Sequence, residues 1–402
     1  GTGHLKQGLG EVEKLGGKCL IKQMLRLLAM LVLGTVASQS QTIINIGTLP
    51  SGSFSKPTGI SADGNVVVGF GDVTSLGDDW PVARSHAFRW DSVNGITDLG
   101  TLSGTYLSGA TGVNGDGSII VGSSAYLNED CAVIDQAFIW QSNTGMQKIN
   151  GIETQEISRA LGISRDGSKI NGVAGSVIGG LNGFKYNFVS GLSPEAPIYF
   201  KANTDESVKI DSLYRYKSNG LEEKIGNPSY ESNDNNYWDI LNMSEDGKYV
   251  VGGGREVYYG NSTNPIRYGK AFLWSEDNGF QSLGTLEGDL WSEAKAISDD
   301  GKIIIGTSGN NTSEHAFVWT LDSGMVELSS YLTSFGIDTS QWQITSADAL
   351  SADGKKIAGT YIINNSLNEK GSFLATLPEP SSLSLLFAGG AVLMAGRRRE
   401  SD

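Results

Sequence analysis

A four-residue turn, Ser-x-Asp-Gly with one Asn variant, recurs six times along the chain. It reads SADG at Ser61, NGDG at Asn114, SRDG at Ser164, SEDG at Ser244, SDDG at Ser298 and SADG at Ser351. The six aspartates, Asp63, Asp116, Asp166, Asp246, Asp300 and Asp353, stand 53, 50, 80, 54 and 53 residues apart. A unit of about fifty residues therefore repeats, with an insertion in the third copy. A period of this length marks architectures in which each unit buries its apolar face only against a neighbour.

Two further markers keep step with the turn. One reads HAFRW at His86, QAFIW at Gln136, SLYRY at Ser212, KAFLW at Lys270, HAFVW at His315 and SFLAT at Ser372. The other reads GITDLGTL at Gly95, GMQKI at Gly145, GLEEKIG at Gly220, GFQSLGTL at Gly279 and GMVEL at Gly324. Each unit thus carries four short strand signals, in the first unit near 57–61, 66–69, 86–90 and 96–99. Asp63-Gly64 and Asn94-Gly95 predict tight hairpins of type I′, whose two central residues take positive φ.

Four antiparallel strands at this period predict an all-β protein, a β-propeller of six four-stranded blades. The sixth unit lacks a fourth strand before Pro378, whereas IINIGTL at Ile43 matches ITDLGTL at Ile96. Residues 43–47 would complete the last blade and leave no unpaired edge. Seven blades, the extra one within 174–211, or an open β-solenoid are the alternatives. The expected organisation is a leader at 1–37, the repeat domain at 38–377 and a tail at 378–402.

Composition suits a turn-rich β protein: Gly makes up 54 of 402 residues and charged residues only 18%. Of two cysteines, Cys19 falls in the leader, so Cys131 stands alone in the mature chain. That excludes an internal disulfide and zinc held by cysteines. The formal charge is −14, but residues 1–37 carry five Lys/Arg against two Glu, and 381–402 three Arg against two acids. The body between carries −18, a surface that repels nucleic acid.

The two ends read as a pair. Lys22 and Arg26 precede an apolar run at 27–36 and small residues before Ala37 and Ser38, the pattern of a secretory signal cleaved between those two. Residues 1–23 read as an upstream extension, with Met24 a candidate start. At the other end, PEPSSLSLLFAGGAVLMAGRRRESD places Pro378, Glu379 and Pro380 before sixteen uncharged residues and then Arg397, Arg398 and Arg399. As a helix that run spans about 24 Å, short of the roughly 30 Å hydrocarbon core. The arginines would hold its end in the cytoplasm. The tail resembles the PEP-CTERM sorting signal of Gram-negative bacteria. The resemblance implies an exosortase-type processing protease, transient contact with the inner membrane, and release or attachment at the cell surface. Such proteins accompany exopolysaccharide production. The Ser-x-Asp-Gly and HAF markers over 43–377 resemble the HAF-repeat family of extracellular proteins, which implies an extracytoplasmic location and no established enzymatic activity.

Catalytic signatures are missing from the sequence. His86 and His315 occupy a framework slot held elsewhere by Gln136, Ser212 and Lys270, and no Gly-x-Ser-x-Gly elbow occurs. The repeated aspartates read as turn formers, and no DxDxDG calcium loop occurs. No cofactor and no metal are expected. Function is expected in the longer loops, which join the second strand to the third and the fourth to the next unit's first. They carry Trp80, Tyr126, Tyr237, Trp238, Trp291 and Trp342, with acids such as Asp78, Asp79, Glu129, Asp130, Asp234, Glu287 and Asp289. Aromatic faces beside carboxylates and amides suit sugar rings. The expectation is a non-enzymatic surface or matrix protein that binds polysaccharide or a protein partner. A propeller hydrolase or lyase acting on extracellular polysaccharide is the alternative.

Overall fold

The computed structural model describes residues 42–73, 84–129, 132–149, 151–152, 157–176, 180–187, 191–194, 201–203, 207–210, 214–217, 219–225, 238–257, 266–363 and 370–377. The expected leader and sorting tail lie outside them.

Among the described residues the strands form five four-stranded antiparallel sheets and one nine-stranded sheet, in which a single Gly253–Glu293 pairing joins two further four-stranded sets, giving seven blades in all. The first strand, β1 (Thr42–Gly47), waits for the end of the chain. Blade 1 is β2 (Ser55–Ile60), β3 (Val66–Val73), β4 (Arg84–Asp91) and β5 (Gly95–Asp98). Blade 2 is β6 (Leu107–Val113), β7 (Ile119–Leu127), β8 (Val133–Gln141) and β9 (Gly145–Lys148). Blade 3 is β10 (Ile157–Ile163), β11 (Lys169–Ser176), β12 (Gly180–Asn187) and β13 (Gly191–Pro194). Blade 4 is β14 (Lys201–Ala202), β15 (Val208–Ile210), β16 (Tyr214–Lys217) and β17 (Glu222–Lys224). Blade 5 is β18 (Trp238–Met243), β19 (Tyr249–Val257), β21 (Ala271–Ser275) and β22 (Gly279–Gly284), with β20 (Ile266–Tyr268) paired on β19. Blade 6 is β23 (Trp291–Ile297), β24 (Ile303–Gly309), β25 (Glu314–Thr320) and β26 (Gly324–Glu327). Blade 7 is β27 (Trp342–Leu350), β28 (Lys356–Ile363), β29 (Lys370–Thr376) and, as its outermost strand, β1.

The closing strand falls where the match of Ile43 to Ile96 places it. It runs antiparallel to β29, with Ile43 opposite Ala375 and Ile44 opposite Leu374. The ring has seven blades rather than six. The third unit's insertion supplies both the outer half of blade 3 and the inner half of blade 4. In blade 3 the third strand reads GFKY in place of AFxW. Between the first two strands of blade 4 the sequence reads Asn203-Thr-Asp-Glu-Ser207, with Glu where the other repeats have Gly. Asn203 still accepts from the Val208 N–H at 3.0 Å, as Asn114 does from Ile119 at 2.9 Å. The SLYRY strand therefore belongs to blade 4, not to the blade of the SRDG turn.

The turns themselves differ from the type I′ expectation. Gly64 has φ of 68°, but Asp63 does not take positive φ. The Gly64 N–H returns to the Ser61 carbonyl at 2.9 Å, a type I turn followed by a left-handed glycine. Side chains explain the choice. The Ser61 hydroxyl donates to Asp63 at 2.6 Å and accepts from the Val66 N–H at 3.0 Å, and Asp63 accepts from the Asn65 N–H at 2.9 Å. The same pattern recurs at Ser164, Ser244, Ser298 and Ser351. The aspartates are occupied in holding the turn.

The core is built from one repeated pair. The HAF phenylalanine sits opposite a glycine of the neighbouring strand: Phe88 on Gly69, Phe138 on Gly122, Phe184 on Gly172, Phe272 on Gly252, Phe317 on Gly306 and Phe373 on Gly359. All six rings are buried. At Gly306 a Cβ would stand 2.0 Å from the Glu293 carbonyl oxygen and 2.8 Å from the Phe317 ring. The ring fills the space that a side chain would otherwise take.

Neighbouring blades are joined by a buried serine. Ser108 of β6 donates to the Gly100 carbonyl at 2.6 Å and accepts from the Ala87 N–H, at the HAF alanine of blade 1, at 2.8 Å. Ser292 joins blade 6 to blade 5 in the same way through Gly284 and Ala271, and Ser158 accepts from Ala137. Between blades 7 and 1, Ser55 donates to Gly47 at 2.7 Å and lies 2.8 Å from the Ser372 hydroxyl. Blade 6 also carries a helix that the strand pattern did not anticipate, α1 (Leu328–Ser334). Its Leu328 and Leu332, one turn apart, are buried in the core shared with blade 7.

Candidate functional site

The innermost strands β2, β6, β10, β18, β23 and β27 line a central channel with a cavity of about 340 Å³. Each has a β-bulge three residues before its turn residue, at Thr58, Thr111, Leu161, Leu241, Lys295 and Asp348. A bulge leaves one residue outside the ladder and re-aims its side chain. All six bulge residues line the channel. Four slots hold Thr or Leu, while blades 6 and 7 place Lys295 beside Asp348.

That pair anchors a hydrogen-bonded polar cluster. The Lys295 ammonium donates to Asp348 Oδ1 and to the Ser346 hydroxyl, both at 2.8 Å. Ser346 donates to the same Asp348 oxygen at 2.7 Å and stands 2.9 Å from the Thr307 hydroxyl. Asp348 is only 6% exposed, and no protein donor reaches its buried Oδ2. Burial alone would lower the pKa of Lys295. The charges of Asp348 and Glu293 outweigh it and hold the ammonium above its usual value, with Glu314 adding to the effect.

At the turn end of the channel, the residue after the turn Ser or Asn joins a backbone belt in five of the six repeats: Asp299 N–H to Ala352, Ala352 to Ala62, Ala62 to Gly115 and Gly115 to Arg165, at 2.7–3.1 Å. Arg165 bonds Asp299 at 2.7 and 2.8 Å and lies 3.5 Å from Glu245. These charges raise its pKa, the hydrogen bond to Asp299 most of all.

At the opposite end, beside the turn that joins β24 to β25, a groove of about 980 Å³ opens between blades 6, 7 and 1. Lys295 lines both the groove and the channel. Asn310, Asn311, Thr312 and Ser313 supply one wall, and Gln343, Thr345 and Thr360 another. Lys56 and Lys370 stand on the blade 1 and blade 7 side, joined through the backbone bridge between Phe54 and Lys370.

The residues expected to form a ligand face are dispersed. Trp80 and Tyr237 lie outside the described residues, as do Asp78, Asp79, Asp130, Asp234, the cleavage residues Ala37 and Ser38, and the sorting residues Pro378, Glu379, Pro380, Arg397, Arg398 and Arg399. Trp238 opens β18, and its side chain is not described. Tyr126 is half-buried on β7, opposite Ile134, and does not line the groove. Trp291 is 5% exposed and its ring lies over Gly309, so it packs rather than presents a face. Asp289 below it is held by His315 at 3.1 Å and Asn310 at 3.2 Å. Trp342 stacks on Tyr361, a groove residue, with centroids 4.7 Å apart and planes at 19°. Of the six aromatics, Trp342 alone is placed at the groove among the described residues. Lys295 and Asp348 were missed. The signal was available: three residues before each turn serine, the aligned repeats read Thr, Thr, Leu, Leu, Lys and Asp.

Among the described residues no group of His, Cys, Asp and Glu could hold a metal ion, and no helix is long and apolar enough to cross a membrane. No protein-family model and no curated protein matches the sequence. Solved structures do match. The β-propeller domain of the Trilobed protease from Pyrococcus furiosus aligns with a TM-score of 0.51 at 12% identity, over 81% of this chain and 96% of that one. The fold is a β-propeller. That domain is described as having an open velcro topology, whereas here β1 closes the ring on β29. An oligogalacturonate lyase in complex with manganese aligns with a TM-score of 0.48 at 12% identity, over 86% of this chain and 95% of that one. TolB from Acinetobacter baumannii aligns with a TM-score of 0.34 at 11% identity over 71% of this chain, which spans about half of that protein's length, 53%.

Proposed function

We propose that this propeller is a non-enzymatic protein of the cell surface or extracellular matrix that binds polysaccharide through the groove between blades 6, 7 and 1. The observation that carries the reading is the groove lining. Asparagines, threonines and a glutamine face a trough large enough for several sugar residues, with the Trp342–Tyr361 stack on its wall. Amide and hydroxyl groups match sugar hydroxyls as both donors and acceptors. The leader and PEP-CTERM-like tail support export from a Gram-negative bacterium, processing by an exosortase-type protease and a precursor held briefly at the inner membrane.

The competing reading, a hydrolase or lyase acting on extracellular polysaccharide, draws on Glu293, Glu314 and Asp348 gathered about Lys295. One screen separates the two. The protein is incubated with the producer's own exopolysaccharide, and both retention and polymer length are followed. Retention without shortening is the expected result. Shortening would establish the enzyme instead, and neither effect would overturn both readings.

A further inference from the structure

We infer that the groove selects acidic sugars, placing the carboxylates of a uronic-acid polysaccharide at Lys56 and Lys370 and its hydroxyls on the Lys295 ammonium. The inference rests on the binding reading of this groove and adds the class of ligand. Three observations carry it.

The first is charge. In a chain of net charge −14 several described lysines have carboxylate partners, among them Lys217 with Glu276, Lys248 with Asp246, Lys302 with Asp300 and Lys355 with Asp353. Lys56 and Lys370 have none among the described residues, and both line the groove. Unpaired cations lining a cleft in an otherwise acidic protein focus a positive potential there.

The second is the floor. Lys295 and Asp348 neutralise one another, and Glu293 and Glu314 act on the same ammonium. An anion placed at the floor would meet those carboxylates. The carboxylates of a ligand are therefore directed to Lys56 and Lys370.

The third is the spare hydrogen-bonding capacity of Lys295, which lines the groove. Two of its three donors are used, by Asp348 and Ser346. A sugar oxygen in the groove can accept the remaining one.

The test is affinity electrophoresis against polymers of matched length: polygalacturonate, its methyl ester, its O-acetyl derivative and uncharged dextran. Polygalacturonate is expected to bind roughly tenfold tighter than the ester or dextran at low salt, the size that two exposed ion pairs supply. That preference should fade with added salt. K56Q/K370Q should erase it. O-acetylation, which keeps the charge and blocks the hydroxyls, should weaken binding. Equal binding of polygalacturonate and its ester would overturn the inference and leave the polysaccharide reading standing. So would a preference that survives K56Q/K370Q, or undiminished binding of the acetylated polymer. Failure to bind any of the four polymers, together with no retention by the producer's own exopolysaccharide, would overturn the reading itself. Both lysines lie at the surface, and matched thermal midpoints establish that the variant is folded.

Discussion

Arg165 and Asp299 stand 134 residues apart in sequence, in blades 3 and 6, and clasp each other across the turn end of the channel with two hydrogen bonds at 2.7 and 2.8 Å. Each is the residue after a turn serine, a slot held by Ala62, Gly115 and Ala352 in three other blades. The pair is about one-third exposed, so its contribution is that of a surface ion pair with good bidentate geometry, about 1 kcal/mol or less. R165M is expected to lower the thermal midpoint by only about 1 °C. The difference should shrink in high salt, where screening removes the wild-type advantage. A salt series by calorimetry on both proteins checks this; an R165M deficit that grows with salt would contradict a screened pair.

Two glycines with different roles give a sharper contrast. Gly306 faces the Phe317 ring and the Glu293 carbonyl, so a methyl group there has no room. Gly95 has open space around it but sits at φ of 68°. G306A is expected to cost about 3 kcal/mol or more, because either the strand pair or the ring must move. G95A should cost about 1 kcal/mol, the strain of a left-handed alanine. Urea midpoints of the two variants test the order; equal losses would show that the glycine–phenylalanine pair does not hold the blade.

How much of this was legible in the sequence follows from where side chains and backbone repeat together. The Ser-x-Asp-Gly turns fix strand phase, because the serine and aspartate side chains bond the turn backbone whatever surrounds them. The closing strand was legible because IINIGTL keeps the glycine and leucine of its counterpart. Blade count was not. Asn203-Thr-Asp-Glu-Ser207 keeps the capping asparagine and drops the glycine, and GFKY keeps only the phenylalanine, so tertiary packing had to supply what the motif no longer stated. Lys295 and Asp348 escaped for another reason. Their role comes from a bulge that turns one residue toward the channel, and a bulge leaves no mark in strand periodicity. Trp291 misled because loop position suggested exposure, while Gly309 opposite it offered a place to pack.

The serine joints predict that inter-blade stability is local. Ser108 satisfies the Ala87 N–H and the Gly100 carbonyl at once, and it is 4% exposed. S108A would leave both groups without that partner in a dry interface, a loss of about 1–3 kcal/mol. S108C, with a weaker donor and acceptor of similar shape, should fall between wild type and alanine. Hydrogen exchange is expected to rise most at Ala87 and at the inner edge of blade 2. A uniform rise over all seven blades would instead show that the ring opens as one unit.

Acid stability has a sign that the turns determine. Asp63, Asp116, Asp166, Asp246 and Asp300 are all held below the ordinary carboxylate value near 3.8. At Asp166 the Ser164 hydroxyl is the largest cause. At Asp63 burial pulls the other way, but the hydrogen bonds from Ser61 and Asn65 prevail. A carboxylate with a depressed folded-state pKa binds its proton more readily in the unfolded chain. Its contribution is therefore complete above the unfolded value near 3.8 and is lost as pH falls through the lower folded value. Little change is expected between pH 7 and 5, with stability falling below about pH 4. Protonation of other carboxylates works against this trend by relieving the repulsion within a chain of net charge −14. The informative quantity is thus the difference between wild type and D63N/D166N/D300N. The triple variant is expected to be less stable at pH 7 and to lose less on acidification, so that the two midpoints converge below pH 4. Parallel acid limbs would show that the turn carboxylates are not what acid unfolds.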